Sequence, residues 1–338
     1  MLRFFCARLQ SGRETRPFPP VTGSTGQTSR RSLYSYMHMG PPRAGGKSER
    51  TKMAEAAKQV SLDLAELTKM YDFKGKTIAV TGGAGVLCGE LTRALVGCGA
   101  QVAILDINIE HGKELAASLG ERGKLISLFQ CNVLDRDSVF KTAAEVSSKF
   151  GKVDALINGA GGNKPQATTS AELKFFDLPA DALKWVFELN IVGTILPSQA
   201  FGKLFAAQGY GNILNVSSMN AFRPLTRIPA YSAAKAAVSN FTQWLAVHLA
   251  QEYSPKIRVN AIAPGFFLTN QNRFLLTDKE TGALTTRGKT ILAHTPMARF
   301  GEPADLSGAV LWLLSPASAF VTGVVIPIDG GFAAYSGV

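Results

Sequence analysis

The sequence predicts an α/β fold, a single doubly wound Rossmann domain with a seven-stranded parallel sheet. Three observations carry this. From Lys76 onward, short β-branched runs alternate with longer amphipathic stretches. The short runs are almost continuously apolar, as strands covered by helices on both faces are. A glycine cluster, Thr81-Gly82-Gly83-Ala84-Gly85, stands between the first such run and the first amphipathic stretch.

The elements follow in order. TIAVT (77–81), a helix running to Cys98 and QVAILD (101–106) form a β-α-β unit. Next come LISLFQC (125–131), a helix over 135–150, VDALIN (153–158), one long helix over 179–208, and NILNVSS (212–218). A helix from Tyr231 to Tyr253, the strand IRVNAIA (257–263), an irregular stretch 264–300, a helix over 302–314 and VVIPID (324–329) complete the chain. No second core is left over, so one domain is expected, with 53–75 as a helical lead-in to a catalytic region 76–338.

The net charge of +11 raises nucleic acid or anionic membrane as a partner until its position is examined. Residues 1–52 hold ten Lys or Arg against Glu14 and Glu49, which is +8, and leave only +3 for the rest. That stretch is rich in Ser, Thr, Gly, Pro and Arg without apolar periodicity, a composition expected to stay disordered. An organelle transit peptide, a basic arm and sequence upstream of a start at Met53 all fit it. The domain itself lacks the basic stripe of a nucleic-acid binder. No apolar run reaches the roughly 18 residues of a membrane span, and no secretory h-region is found. Four Cys and four His show no metal-ligand spacing, so no metal is expected, and reduced thiols suit a cytoplasmic protein or, with a transit peptide, an organelle matrix.

The glycine cluster lies where backbone amides and a helix N-terminus meet a pyrophosphate. Asp106 ends the second strand, where a carboxylate accepts both ribose hydroxyls of an adenosine and repels a 2′-phosphate. No Lys or Arg occurs from Thr81 to Gly89. NAD is therefore expected over NADP; a helix cap or turn is the alternative role for Asp106.

Tyr231-Ser232-Ala233-Ala234-Lys235 places a phenol and an ammonium one helical turn apart. A cation within a few ångströms favours the phenolate, and lowering a phenol pKa by three units takes about 4 kcal/mol. Ser218, thirteen residues earlier, falls at the end of the fifth strand, on the edge of the sheet where ligands bind. An exposed helix pair is the plain alternative.

With these residues the sequence resembles the short-chain dehydrogenase/reductase family over 76–338. The resemblance covers TGGAG, NGAG (158–161), Asn190, Ser218, Tyr231 with Lys235, PGFFLT (264–269) and DGG (329–331). It implies Tyr231 as acid/base, Lys235 tuning it and holding the nicotinamide ribose, Ser218 bonding the reacting oxygen, and Asn190 anchoring a water relay. It further implies cofactor contacts from Gly82, Gly85, Val86, Leu87, Asn132, Val133, Asn158, Gly159, Ala160, Pro264, Gly265 and Thr269. Two features depart from the family pattern, the glycine spacing and one residue after the third strand. Counted from Thr81, its second and third turn glycines fall on Val86 and Cys88, and Asn132 stands where Asp is usual. An adjusted turn with retained binding is expected, since Cys is small and an amide carbonyl still accepts a hydrogen bond.

Around the expected reaction centre lie Asn163, Asn220, Arg223, Arg227, Gln271 and His294, a polar and cationic set. Guanidinium groups match a carboxylate and amides match hydroxyls, so a small polyhydroxylated acid suits them. The longer motifs, among them SSMNAFRPLTRIPAYSAAKAAVSNFTQWLAVHLA and LAHTPMARFGEP, resemble the D-mannonate oxidoreductases (fructuronate reductases) within this family. That implies hydride transfer between NAD and D-mannonate or D-fructuronate. Another hexonate dehydrogenase, a 3-oxoacyl-thioester reductase and a non-catalytic NAD-binding sensor remain as alternatives. The apolar run Phe241, Trp244, Leu245, Leu249 on the Tyr231 helix, with family precedent, leads to an expected homotetramer.

Overall fold

Seven apolar runs pair as one parallel sheet of order β3-β2-β1-β4-β5-β6-β7. In the computed structural model, which describes residues 63–268, 276–278 and 281–337, the strands are β1 Thr77–Thr81, β2 Gln101–Asp106, β3 Ile126–Gln130, β4 Ala155–Asn158, β5 Gly211–Val216, β6 Ile257–Pro264 and β7 Val325–Ile328. The helices are α1 Leu64–Met70, α2 Val86–Gly97, α3 Ile109–Ser118, α4 Arg136–Phe150, α5 Ala180–Phe187, α6 Gly193–Gln208, α7 Pro229–Glu252, α8 Thr286–Ala293 and α9 Ser307–Leu314. The stretch 1–52, Thr269 and Gln271 lie outside the described residues.

Alternation along each strand sorts side chains into two cores. Ile78, Val80, Ile104 and Ile157 pack with Leu91 and Leu95 of α2 and Val310 and Leu313 of α9. On the opposite face Ala79, Leu105, Leu156 and Ile213 meet α4 (Val139, Val146), α6 (Phe201, Phe205) and α7 (Leu245, Leu249). Both faces are covered, which is why the strands read as unbroken apolar runs. Asp135, Asn108 and Thr285 cap α4, α3 and α8 by accepting from backbone amides of the first turn.

The strand order reverses between β1 and β4, and such a switch point opens a crevice at the carboxyl ends. Thr81 is paired with Leu105 on one side and Asn158 on the other, so the ends of three strands lie level at that edge.

The elements differ from expectation in three places. The helix expected over 179–208 is interrupted by a π turn, Glu188–Val192, where the Gly193 amide reaches back to the Glu188 carbonyl. The irregular stretch 264–300 contains α8, whose apolar residues are too few for a clear helical period. β5 stops at Val216, leaving Ser218 two residues beyond it at the cap of a short 3₁₀ turn.

α2 packs on the sheet at one tight point. A Cβ added at Gly159 would run into Cys88 Sγ and come 2.9 Å from the Thr81 carbonyl oxygen. Gly159→Ala is expected to cost roughly 1–3 kcal/mol in denaturant unfolding. Adding Cys88→Ala should recover part of that loss, whereas strict additivity of the two changes would refute the contact.

Candidate active site

The turn after β1 is built by glycines with distinct tasks. Gly82 has φ +64°, and a Cβ there would lie 3.0 Å from the Ala160 backbone, so only glycine fits. Gly85 is the N-cap of α2 and has no side chain with which to cap the helix's opening amides. Those of Val86 and Leu87 therefore remain for an anion, as a pyrophosphate requires. Gly89 has no contact closer than 3.8 Å at its would-be Cβ; the close packing falls instead to Cys88 against Gly159. That is the adjusted turn, and its physical basis is a cysteine matched by a glycine across the interface.

Asp106 reaches this turn. Its Oδ2 accepts from the Ala84 amide (3.3 Å) and its Oδ1 from Asn108 (3.0 Å). Each oxygen keeps a second lone pair for a ribose hydroxyl. Ile107 and Asn108, which follow it, bring no cation. The group thus serves the turn and stays available to a ligand. Among the described residues no cluster of His, Cys, Asp or Glu could hold a metal ion.

The expected catalytic side chains converge at the same edge. Ser218 Oγ accepts from the Asn220 amide and from Asn220 Nδ2, both at 3.2 Å. With its lone pairs engaged, its hydroxyl hydrogen is left to donate, and its nearness pulls the Tyr231 phenol downward in pKa. Lys235 is 5% exposed, donates from Nζ to the Val216 carbonyl (2.8 Å), and has Nζ 5.6 Å from the centre of the Tyr231 ring. Asn190 lies fully buried in the π turn. A Cβ at Gly161 would come 2.8 Å from Asn190 Oδ1 and 3.2 Å from Lys235 Nζ, so both crowd one backbone. Asn190 Nδ2 spends its hydrogens on the Gly162 and Val186 carbonyls, and Oδ1 accepts from the Gly162 amide. A water at Asn190 would have only the remaining Oδ1 lone pair.

Several expected ligand residues have other work. Asn158 is turned inward, donating to Ser198 Oγ and Asn215 Oδ1 at 2.9 Å, so its amide faces away from the cofactor edge. Asn220 holds Ser218 and accepts from the Leu225 amide (3.2 Å), shaping the loop instead of facing solvent. Asn163 donates to Thr168 Oγ1, and Asn132 Oδ1 accepts from the Leu134 amide in a local turn. Val133 is buried against Gly193, while Pro264 ends β6 and Gly265 abuts Asp329. Arg223, Arg227 and His294 do come together, lining a cavity of about 630 Å³ with Phe266, Phe332 and Arg287. His294 also closes α8, its Nδ1–H donating to the Thr290 carbonyl (2.9 Å).

A family profile described as "Enoyl-(Acyl carrier protein) reductase" matches residues 87–333. The protein belongs to the short-chain dehydrogenase/reductase family. It is an oxidoreductase acting on alcohol and keto groups. An uncharacterized oxidoreductase of Haemophilus influenzae is 47% identical over 279 residues, 79% of this chain and 96% of that one. A crystal structure from the same genus, assigned provisionally as a D-mannonate oxidoreductase and holding NAD, is 46% identical with TM-score 0.75, covering 80% of this chain and all of that one. More distant relatives include 2-dehydro-3-deoxy-D-gluconate 5-dehydrogenase of Dickeya dadantii (33%; 78% of this chain, 98% of that one) and a 7alpha-hydroxysteroid dehydrogenase of Escherichia coli (30%; 76% and 94%).

Two members of the site are not evident from sequence. Thr81 Oγ1 accepts from the Gly159 and Ala160 amides at 3.1 and 3.2 Å, tying the glycine turn to the strand beside it. Its place in the motif is visible in the sequence, its partner is not. Arg287 stands in a stretch without clear helical period, and only the fold of α8 brings it to the cavity.

Charge in this site runs against expectation. Burial pushes the Tyr231 phenol above its ordinary value, with the Ser218 hydrogen bond pulling the other way. Burial lowers Lys235 to about 8, so the protein alone fails to produce the depressed phenol expected of this pair. Below about pH 8 the folded protein carries a buried ammonium at a cost on the order of 3 kcal/mol. Between there and 10.5 the unfolded state binds more protons, so this cost disappears as pH rises. Lys235→Met is expected to raise the melting temperature at pH 7 and to lose that advantage by pH 10. A variant less stable at pH 7, with a gap unchanged by pH, would contradict the assignment.

Proposed function

We propose that this enzyme interconverts a hydroxyl and a keto group on a six-carbon sugar acid with NAD, D-mannonate and D-fructuronate being the pair favoured. The observation that carries this is the cavity bounded by the segment that joins Ser218 to Tyr231. Three arginines and a histidine line it, and no Asp or Glu does among the described residues. A steroid nucleus or an acyl chain by itself offers guanidiniums no acceptor, whereas a carboxylate matches their paired donors. The resemblance to a D-mannonate oxidoreductase structure and to a sugar-acid dehydrogenase supports the same class.

Gly82, Gly85, Val86 and Leu87 would receive the pyrophosphate of NAD and Asp106 its adenosine ribose, the carboxylate disfavouring NADP. When bound, NAD supplies a hydride acceptor and, in oxidised form, a positive charge beside the phenol. The proton chemistry belongs to the protein. Tyr231 as phenolate takes the hydroxyl proton while the carbinol C–H is lost as hydride; in the reverse direction the phenol returns the proton to the new alkoxide. Ser218, its hydroxyl hydrogen free to donate, stabilises the reacting oxygen. Lys235, with Nζ fixed on Val216, holds the nicotinamide ribose and favours the phenolate. Asn190 clamps residues 161–162 above Lys235.

We further propose a homotetramer built on α6 and α7. Trp244, Val247 and Tyr253 are 56–58% exposed, and a cavity of about 560 Å³ runs between the two helices beside them. Apolar exposure of this kind marks a protein contact. No described helix is long and apolar enough to cross a membrane. Cys88, Cys98 and Cys131 are free thiols, which suits a reducing cytoplasm or organelle matrix.

A panel of aldonates and ketouronates should show turnover with NAD(H) on D-mannonate or D-fructuronate. Activity confined to acyl thioesters or steroids, or a preference for NADP(H), would overturn the proposal. Tyr231→Phe is expected to lower kcat by roughly 10²–10⁴-fold with NAD affinity kept within a few fold, as read by quenching of protein fluorescence. Light scattering should give four copies per particle, and a monomer would refute the assembly.

A further inference from the structure

We propose that Arg287 takes the carboxylate of the substrate and so selects an acid over its neutral counterpart. This rests on the sugar-acid reading above. Three guanidiniums share the cavity, but they are not equivalent. Arg223 is exposed and donates from Nε to the Ala333 carbonyl at 3.1 Å. Arg227 is exposed too, and its backbone is held at φ +73° with its carbonyl accepting from the Thr169 amide (2.8 Å). Such a conformation is costly outside glycine, so this position fixes the loop. Arg287 is half-buried, and among the described residues it has neither hydrogen bond nor ion pair.

A guanidinium committed to no described partner can meet an anion brought within reach without first breaking a bond it already makes. Its setting strengthens this. Arg287 occupies the first turn of α8, where the helix's partial positive charge adds to the attraction. Thr285 Oγ1 caps that turn by accepting from the Gly288 amide (3.1 Å), and Gly288 packs so closely on the Leu276 carbonyl that no Cβ would fit. The arginine is thus carried by a packed, capped element. Phe266 and Phe332 line the same cavity, and apolar walls reduce the screening between opposite charges. The planar fork binds both carboxylate oxygens at once, which an amide of the same shape cannot match.

The test compares a hexonate with its hexonamide, the amide read as alternative substrate or competitive inhibitor, in the parent enzyme, Arg287→Met and Arg287→Lys. Thermal melting checks that each variant is folded. In Arg287→Met the kcat/KM for the acid should fall about 10–100-fold, mainly through KM, and the preference for acid over amide should shrink by the same factor. Arg287→Lys, which keeps charge but loses the fork, should fall between. Equal losses on acid and amide, or no loss, would overturn the role of Arg287 while leaving the sugar-acid activity intact. A parent inactive on every aldonate and ketouronate would refute the sugar-acid reading itself, and this role with it.

Discussion

Thr81 Oγ1 receives the amides of Gly159 and Ala160, and the backbone it fixes there is pressed from both sides: Cys88 of α2 lies against Gly159, while Asn190 and Lys235 lie against Gly161. This four-residue segment, Gly159–Gly162, is the joint between the nucleotide turn and the catalytic side chains. Any side chain at Gly159 moves α2, which begins at the glycine turn; any at Gly161 displaces the Asn190 amide and the Lys235 ammonium. The spacing between the glycine turn and the Lys235 side chain is thereby set by close packing on this one backbone segment.

A buried polar ladder extends the same constraint through the sheet. Asn190 receives Thr194 at its carbonyl, Ser198 bonds back to Thr194 along α6, Asn158 reaches from β4 to Ser198 and to Asn215 of β5, and Asn215 continues to Thr242 on α7. Each link is short and shielded from water, so breaking one strands a polar group in a dry core. The helix that carries Tyr231 and Lys235 is thus registered to the π turn that carries Asn190. From the π turn Asn190 bonds both the Gly162 carbonyl of the loop and the Val186 carbonyl of its own helix.

Against this rigid frame the charges are left unfinished. Lys235 sits where burial penalises its charge, and Tyr231 where burial penalises the phenolate. Nearby, a cavity gathers guanidiniums with no carboxylate among the described residues that line it. The first arrangement costs stability in the free protein. On the proposed function the two would divide the work: positive charge beside the phenol for proton transfer, negative charge in the cavity for placing the substrate.

The strand runs and the glycine cluster declared the fold through local composition, because a strand buried on both faces must be apolar throughout and a pyrophosphate turn must be glycine-rich. Tyr231, Lys235, Ser218 and Asp106 were likewise legible, each from its spacing to a strand end or a helical turn. What the sequence could not disclose by itself lay across the sheet. The Cys88–Gly159 contact that explains an altered glycine pattern joins residues 71 apart in sequence. The inward turn of Asn158, the capture of Ser218 by Asn220 and the arrival of Arg287 beside Arg223 depend on which way a side chain leaves its backbone. Sequence determined which chemistry is present, since residue types and short spacings are local properties; tertiary structure decided which partner each group meets, since hydrogen bonds and burial are properties of space.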